Sequence, residues 1–464
     1  MSVDRRSVRA VLAVVVVLST ATLIAGFVDA ERRSDAVTGS PVVEQALRSG
    51  DRGPVVGERD AITVVATDSN AFVTDENDGP RAQAELVAFA PDGSIYYHEN
   101  RHTRYWDVDP VAGTNATVEF VYADHRSQAD CGGQAPCTEN GVVRVNLTTG
   151  ERETVYSRVT PGKHSTRWHD VDRVADDRLL VADIARDRVF VVNTTTELVE
   201  WEWDAQAAFD VDSGGPFPED WTHLNDVEHV TIDGRETVMV SVRNHDQVLF
   251  VDVERGVREA WTLGADGDHD TLHEQHNPDF VPAEDGGPAV LVADSENGRV
   301  VEYQREDGDW VRSWTWTDAR TSWPRDADRL PNGHTLVTDS NGDRVVELDE
   351  NGEAVWNASI GFPYEAERLG TGDESAGGES ATRLDLPSAT ADEASGGGTL
   401  LGAVANALPT TVRNAVAYVF PRWIGLFEGV AATALAVVVP AWVLAEYRWS
   451  NVSVSLRWPM RFER

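Results

Sequence analysis

Between residues 167 and 348 the chain repeats itself four times, and this periodicity restricts its fold more than any other feature. Each repeat opens on a short polar stretch around an Asp or Asn. The four openings are Trp168-His169-Asp170-Val171, His223-Leu224-Asn225-Asp226-Val227, Gln275-His276-Asn277-Pro278-Asp279 and Trp323-Pro324-Arg325-Asp326. Aligned on Asp170, Asp226, Asn277 and Asp326, they are 56, 51 and 49 residues apart. A β-branched strand follows each opening, at 178–183, 237–241, 289–294 and 334–339. Polar turns such as Ser295-Glu296-Asn297-Gly298 lead to a second strand, and a third tends to end in tryptophan, as at Trp203, Trp261, Trp316 and Trp356. Runs of this kind joined by Asn-Gly or Asp-Gly turns are hairpin signals. Four short strands recurring about every 50 residues are the signature of a β-propeller blade. Weaker blade-like strands precede the repeat, around 62–67, 85–98 and 105–109. The span 58–366 therefore has room for six blades, and the expectation is an all-β, six-bladed propeller.

Charge limits the partners. Lysine and arginine total 40 against 78 acidic residues, a formal net charge of −38, and Lys163 is the single lysine. Nucleic-acid binding needs clustered cations to meet phosphates, so this balance argues against it. An acidic surface of this kind is tolerable in concentrated salt, where the screening length falls to about 3 Å near 1 M. The composition is the one expected of an acidic, haloarchaeal proteome. The only cysteines, Cys131 and Cys137, enclose a Gly- and Pro-containing loop able to close a disulfide, which suits an oxidising compartment. Two thiolates alone leave zinc short of ligands.

Both ends carry apolar segments. Residues 10–28 are uncharged and follow Arg5, Arg6 and Arg9, and residues 423–445 are apolar apart from Glu428 and precede Arg448, Arg457, Arg461 and Arg464. Each is long enough to cross a bilayer as a helix. A cleaved signal peptide is the competing reading of the first. With the basic flanks facing away from the propeller, both termini are expected in the cytoplasm and the propeller outside the cell. The expected organisation is an N-terminal transmembrane helix or signal anchor at 1–30, the propeller at 58–366 and a flexible acidic linker at 367–398. An amphipathic segment at 399–421, a transmembrane helix at 422–446 and a basic cytoplasmic tail at 447–464 complete it. Linker composition in this stretch, rich in Gly, Ser and acidic residues, leaves little to bury.

The repeat has one irregular column. The residue before each alignment position is His169, Asn225, His276 and Arg325 in turn, with His223 and His273 close by. Inner strands of a propeller converge on its axis, so these side chains are expected to meet at one end of the channel. Neutral imidazole serves as base or nucleophile, and arginine and amide donors stabilise charge on oxygen. Asp170 and Asp226 are expected to hydrogen-bond turns. No serine nucleophile elbow, Walker loop, dinucleotide fingerprint or HExxH sequence is present.

The order His169-Asp170, His223-Leu224-Asn225-Asp226, Ser241-Val242-Arg243-Asn244 and Glu274-Gln275-His276 resembles the arylsulfate sulfotransferase family, over roughly residues 85–360. That resemblance implies a six-bladed extracytoplasmic propeller moving a sulfuryl group from an aryl sulfate to a phenolic acceptor through a sulfated histidine. It implies no nucleotide donor, cofactor or metal. On matching positions it implies His276 as nucleophile, with His273 the alternative. His223, Asn225 and Arg243 would hold the sulfuryl oxygens, and His169 would assist proton transfer or charge stabilisation. Arg325 joins the substrate-binding set from its place in the repeat. Two other classes stay open: a non-catalytic cell-surface propeller that binds ligands or envelope partners, and a hydrolase with calcium held by Asn225, Asn277 and nearby aspartates. Protein partners, and the physiological donor and acceptor, are not legible.

Overall fold

The structure is a computed structural model and describes residues 4–34, 40–50, 53–68, 84–133, 136–162, 167–318, 320–391, 410–412, 414, 424 and 426–450. It divides into two units, one formed by the two ends of the chain and one spanning residues 36–420.

The larger unit is a six-bladed β-propeller, with six sheets of four or five strands, antiparallel except for one added strand. Its inner strands are Arg104–Pro110, Trp168–Ala175, Leu224–Ile232, His276–Val281, Pro324–Arg329 and Pro363–Arg368. Each packs beside the next around the axis. Blades two to six run outward in chain order. Blade one is composite, because Pro363–Arg368 supplies its inner strand and pairs with Thr63–Thr67 from the front of the domain. That pairing closes the ring without leaving an open sheet edge. The closing strand ends at Arg368, two residues beyond the expected limit of the domain.

The Val/Leu/Ala strands become the second strands of their blades because they are sandwiched between neighbouring sheets. Ala289–Asp294 and Thr335–Asp339 are buried along their whole length. Valine alternation with tryptophan and phenylalanine fills the layers between blades, as where Trp316, Ala327, Val337 and Val346 form one cluster. Tight turns after these strands need a left-handed residue, supplied by Asp187, Asp246, Gly298 and Asp343 at equivalent places, with φ between 50° and 62°. Trp261 departs from the expected pattern. It lies in a 3₁₀ turn that splits the outer edge of blade four between Gly256–Val257 and Leu263–Gly264.

The expected flexible linker is corrected in its first part. Residues 370–391 lie on the propeller: Ser375 hydrogen-bonds Asp279 and the Arg329 amide, the Ala381 amide donates to Glu302, and Ala389–Ala391 adds a parallel strand to blade five. Composition misled because this segment is held by polar groups that satisfy buried carboxylates rather than by large apolar side chains. The rest of the linker, most of the amphipathic segment and the basic tail beyond residue 450 lie outside the described residues.

Cys131 and Cys137 are joined by a disulfide. In the smaller unit, the helices Arg5–Ser34 and Leu426–Trp449 pack on each other, with an Arg9–Glu446 ion pair at 2.6 Å. Their apolar spans of 24 and 23 residues are long enough to cross a membrane.

Candidate active site

The inner strands share one register, and the site follows from it. The irregular column extends to all six blades: Trp106, His169, Asn225, His276, Arg325 and Tyr364. Two residues earlier stand Arg104, Arg167, His223, Glu274, Trp323 and Phe362. The last four of these adopt left-handed backbone, with φ of 49°, 47°, 60° and 49°. For non-glycine residues such a conformation costs on the order of 1 kcal/mol or more and persists where its surroundings enforce it. It turns the chain into the inner strand where side chains of the two rows come into contact.

There the side chains meet. The His169 ring stacks on Trp106 at 4.1 Å, lies 5.2 Å from His223 and 5.3 Å from Tyr364, centroid to centroid. His276 lies 6.3 Å from Tyr364 and 6.2 Å from Trp323. The Arg325 guanidinium sits 4.8 Å above each of Trp323, Phe362 and Tyr364. Asp68 takes both Arg325, at 3.3 Å, and Arg104, at 2.8 Å, so two guanidiniums share one carboxylate. Arg243 pairs with Glu274, and the Asn225 amide donates to the Gln275 carbonyl at 2.8 Å, leaving Asn225 Oδ1 buried without a hydrogen-bond partner. His273 is not part of this cluster. Its ring stacks at 3.7 Å on His269, on the rim beside Asp246.

Hydrogen bonding separates the three histidines. Ser295 spends its hydroxyl hydrogen on the Pro324 carbonyl at 2.6 Å, so its oxygen can only accept from His276 Nδ1, 2.8 Å away. The Glu274 carbonyl, 3.1 Å from the same nitrogen, also accepts. Nδ1 of His276 therefore carries the hydrogen and Nε2 the lone pair. Asp220 accepts from His223 Nδ1 at 2.7 Å, which fixes the same tautomer there. His169 is the reverse. The Tyr364 phenol lies 2.6 Å from His169 Nδ1 and has no other acceptor among the described residues, so it donates, and the hydrogen of His169 is on Nε2.

All three rings are held neutral. Burial pushes the His223 pKa down to about 4, helped by Arg243 and opposed by Asp220. Burial together with Arg325 and Arg243 depresses His276 well below the usual imidazole value, and burial with Arg167 and His223 does the same to His169. Burial raises the Tyr364 phenol well above its usual value, which keeps its proton in place.

Tyr364, Trp106, Arg104, Arg167, Asp220 and Ser295 belong to this arrangement although the sequence reading did not select them. Trp106 had a visible signal: Trp106-Asp107-Val108-Asp109 has the pattern of His169-Asp170-Val171-Asp172. The expected turn role is replaced by another at Asp170, while Asp226 leaves Oδ1 buried without a hydrogen-bond partner. Asp170 Oδ2 accepts the Val227 amide of the next blade, as Asp107 does for Val171, Glu365 for Val108 and Asp326 for Ala366. Four of the six junctions between neighbouring inner strands are stitched in this way. Asn225 donates to the Gln275 carbonyl, and Asn277 donates to Glu365 at 3.1 Å.

A family model described as arylsulfotransferase (ASST) matches residues 154–361. No curated protein matches the chain. Among solved structures it is similar to a Bacteroides caccae protein of unknown function, at 12% identity over 67% of this chain and 98% of that one, with a TM-score of 0.45. It is also similar to the periplasmic gluconolactonase PpgL of Pseudomonas aeruginosa, at 14% identity over 67% and 99% of the two chains, with a TM-score of 0.43. Residues 154–361, which carry His169, His223, His276 and Arg325, are thus similar to the arylsulfotransferase (ASST) family.

Proposed function

We propose that the propeller transfers sulfuryl groups from an aryl sulfate to a phenolic acceptor through a sulfated His276. The observation that carries this reading is the Ser295–Pro324 relay, which fixes hydrogen on Nδ1 and leaves a lone pair on Nε2 of a neutral ring. In the first half-reaction the Nε2 lone pair attacks sulfur, an N–S bond forms, and the S–O(aryl) bond breaks with its electron pair leaving on the phenolate oxygen. In the second, the acceptor phenol gives its proton to Nε2 of His223, and its oxygen attacks sulfur and releases His276. Arg325, Arg243, the Asn225 side chain and the His169 Nε2–H supply charge stabilisation for the sulfuryl oxygens. Aromatic walls at Trp106, Trp323, Phe362 and Tyr364 suit an aryl donor. The reaction as derived uses no nucleotide.

A transferase assay with an aryl sulfate and a phenol tests this. His276→Ala is expected to lower turnover by about 10³-fold or more; transfer at the wild-type rate by that variant excludes His276 as nucleophile.

We also propose that the two terminal helices anchor the chain in a membrane with the propeller on the outside. Their apolar length and the arginines on their outer flanks support this. The chain is then expected to stay with membranes through an alkaline wash and to leave them only in detergent. Release by the wash alone contradicts anchoring.

A further inference from the structure

Below the histidine column the inner strands carry two more rows of polar residues. The first is Asp107, Asp170, Asp226, Asn277, Asp326 and Glu365, and the second, two residues on, is Asp109, Asp172, Glu228, Asp279, Asp328 and Glu367. Stitching explains many of these acids. Besides the four bonds of the first row, Asp172 accepts the His229 amide at 2.7 Å and Glu228 the Phe280 amide at 2.8 Å, each from the next blade. Between blades five and six the pattern stops. Asp279 instead takes Ser375 on Oδ2 and leaves Oδ1 without a partner; Asp328 Oδ2 has none. Asp326 accepts Ala366 and Thr338 on Oδ2 and leaves Oδ1 without one. All three residues are at most 1% exposed. An isolated buried carboxylate oxygen without a partner is costly.

These three converge with Glu374, from the polypeptide that follows the closing strand, so that one oxygen of each lies within 4.8 Å of the others. Arg329 lies on the same strand as Asp326 and Asp328 but gives its guanidinium to Glu302 and Thr335. We propose that the axial channel binds a calcium ion between blades five and six, held by the carboxylates of Asp279, Asp326, Asp328 and Glu374. An all-oxygen, carboxylate-rich set selects a hard cation. Oxygens that all lie within 4.8 Å of one another can surround a single cation, and four carboxylates in an all-protein cage suit calcium, because magnesium keeps several of its waters. One oxygen of Asp279 is tethered by Ser375 and one of Asp326 by Thr338 and the Ala366 amide, while the neighbouring carboxyls of Glu374 and Asp328 approach them, which is how a preorganised ligand set is oriented. The ion joins two inner strands where amide stitching fails, and pins the closing segment to the axis. Its role is structural and does not rest on the sulfuryl-transfer reading.

The test uses the full-length chain in detergent, dialysed against EGTA and returned to calcium or magnesium. Calcium is expected to bind stoichiometrically by elemental analysis and to raise the melting temperature by roughly 5 °C at saturation. Asp328→Asn and Glu374→Gln are expected to lose both effects. Glu374 lies on the closing segment rather than an inner strand, so that variant still reports if Asp328→Asn fails to fold. Glu200→Gln, on an outer strand, is expected to keep the wild-type response. A metal-free chain whose melting ignores calcium overturns the proposal. So does an equal calcium response in Glu374→Gln, which would mark general screening of an acidic protein, and an equal response to magnesium overturns the choice of ion.

Discussion

At the scale of single residues, the chemistry rests on which nitrogen holds a proton. Ser295, with its hydrogen committed to Pro324, and Asp220, a carboxylate held below its usual pKa range by His223 and Arg243 in spite of burial, fix two imidazoles with Nε2 free. His169 is fixed in the other sense by Tyr364. This division gives a pH expectation. In the proposed reaction His223 must be neutral to accept the acceptor's proton, and burial puts its pKa at about 4 instead of about 6.5. The acid limb of kcat/KM is therefore expected near pH 4. The same shift has a stability consequence of definite sign. A histidine depressed in the folded state binds its proton first in the unfolded chain, so its contribution is present above pH 6.5 and is lost as pH falls from about 6.5 to 4. A pH–rate profile with its acid limb at 6.5 contradicts the assignment, because it describes a solvated imidazole.

At the scale of elements, blades are held by tryptophans between sheets and by carboxylates between inner strands. Trp316 shows the first device. It is 1% exposed, packs against Val300, Val337 and Val346, and donates its indole N–H to the Gly352 carbonyl at 3.1 Å. Trp316→Ala is expected to cost about 4 kcal/mol in denaturant unfolding through the cavity it leaves; a loss under about 1 kcal/mol would mean that the blades do not depend on this packing. The tryptophans and β-branched strands were legible in the sequence because they recur at fixed spacing. The stitching by Asp107, Asp170, Asp326 and Glu365 was not, because an Asp after a polar residue reads as a turn former. Nor was the packing of residues 370–391, which is anchored by the Ser375 hydroxyl and the Ser380 amide as well as by the small apolar contacts of Ala381, Leu386 and Ala389. Tyr364 was hidden for a topological reason: Phe362-Pro363-Tyr364-Glu365 closes blade one from the far end of the domain and lacks the Asp of the other openings.

At the scale of the whole molecule, closure of the ring decides what the site can be. Six inner strands bring six residues of five kinds to one level of the axis, and the asymmetry of that ring is what a symmetric repeat otherwise lacks. His169, Asn225, His276 and Arg325 were readable as one irregular column, since four blades repeat clearly enough to align. Trp106 and Tyr364 complete it with aromatic surface and the hydrogen bond that sets His169. In the proposed reaction one position of the six, His276, takes the sulfuryl group while its neighbours bind and move protons. The most direct measurement is to expose the full-length chain to an aryl sulfate without acceptor, quench under alkaline conditions and map the adduct by mass spectrometry. A sulfuryl adduct on the peptide containing His276, lost when a phenol is added, is the expected result. An adduct on His223 or His273 instead, or turnover with no protein adduct at all, would contradict it.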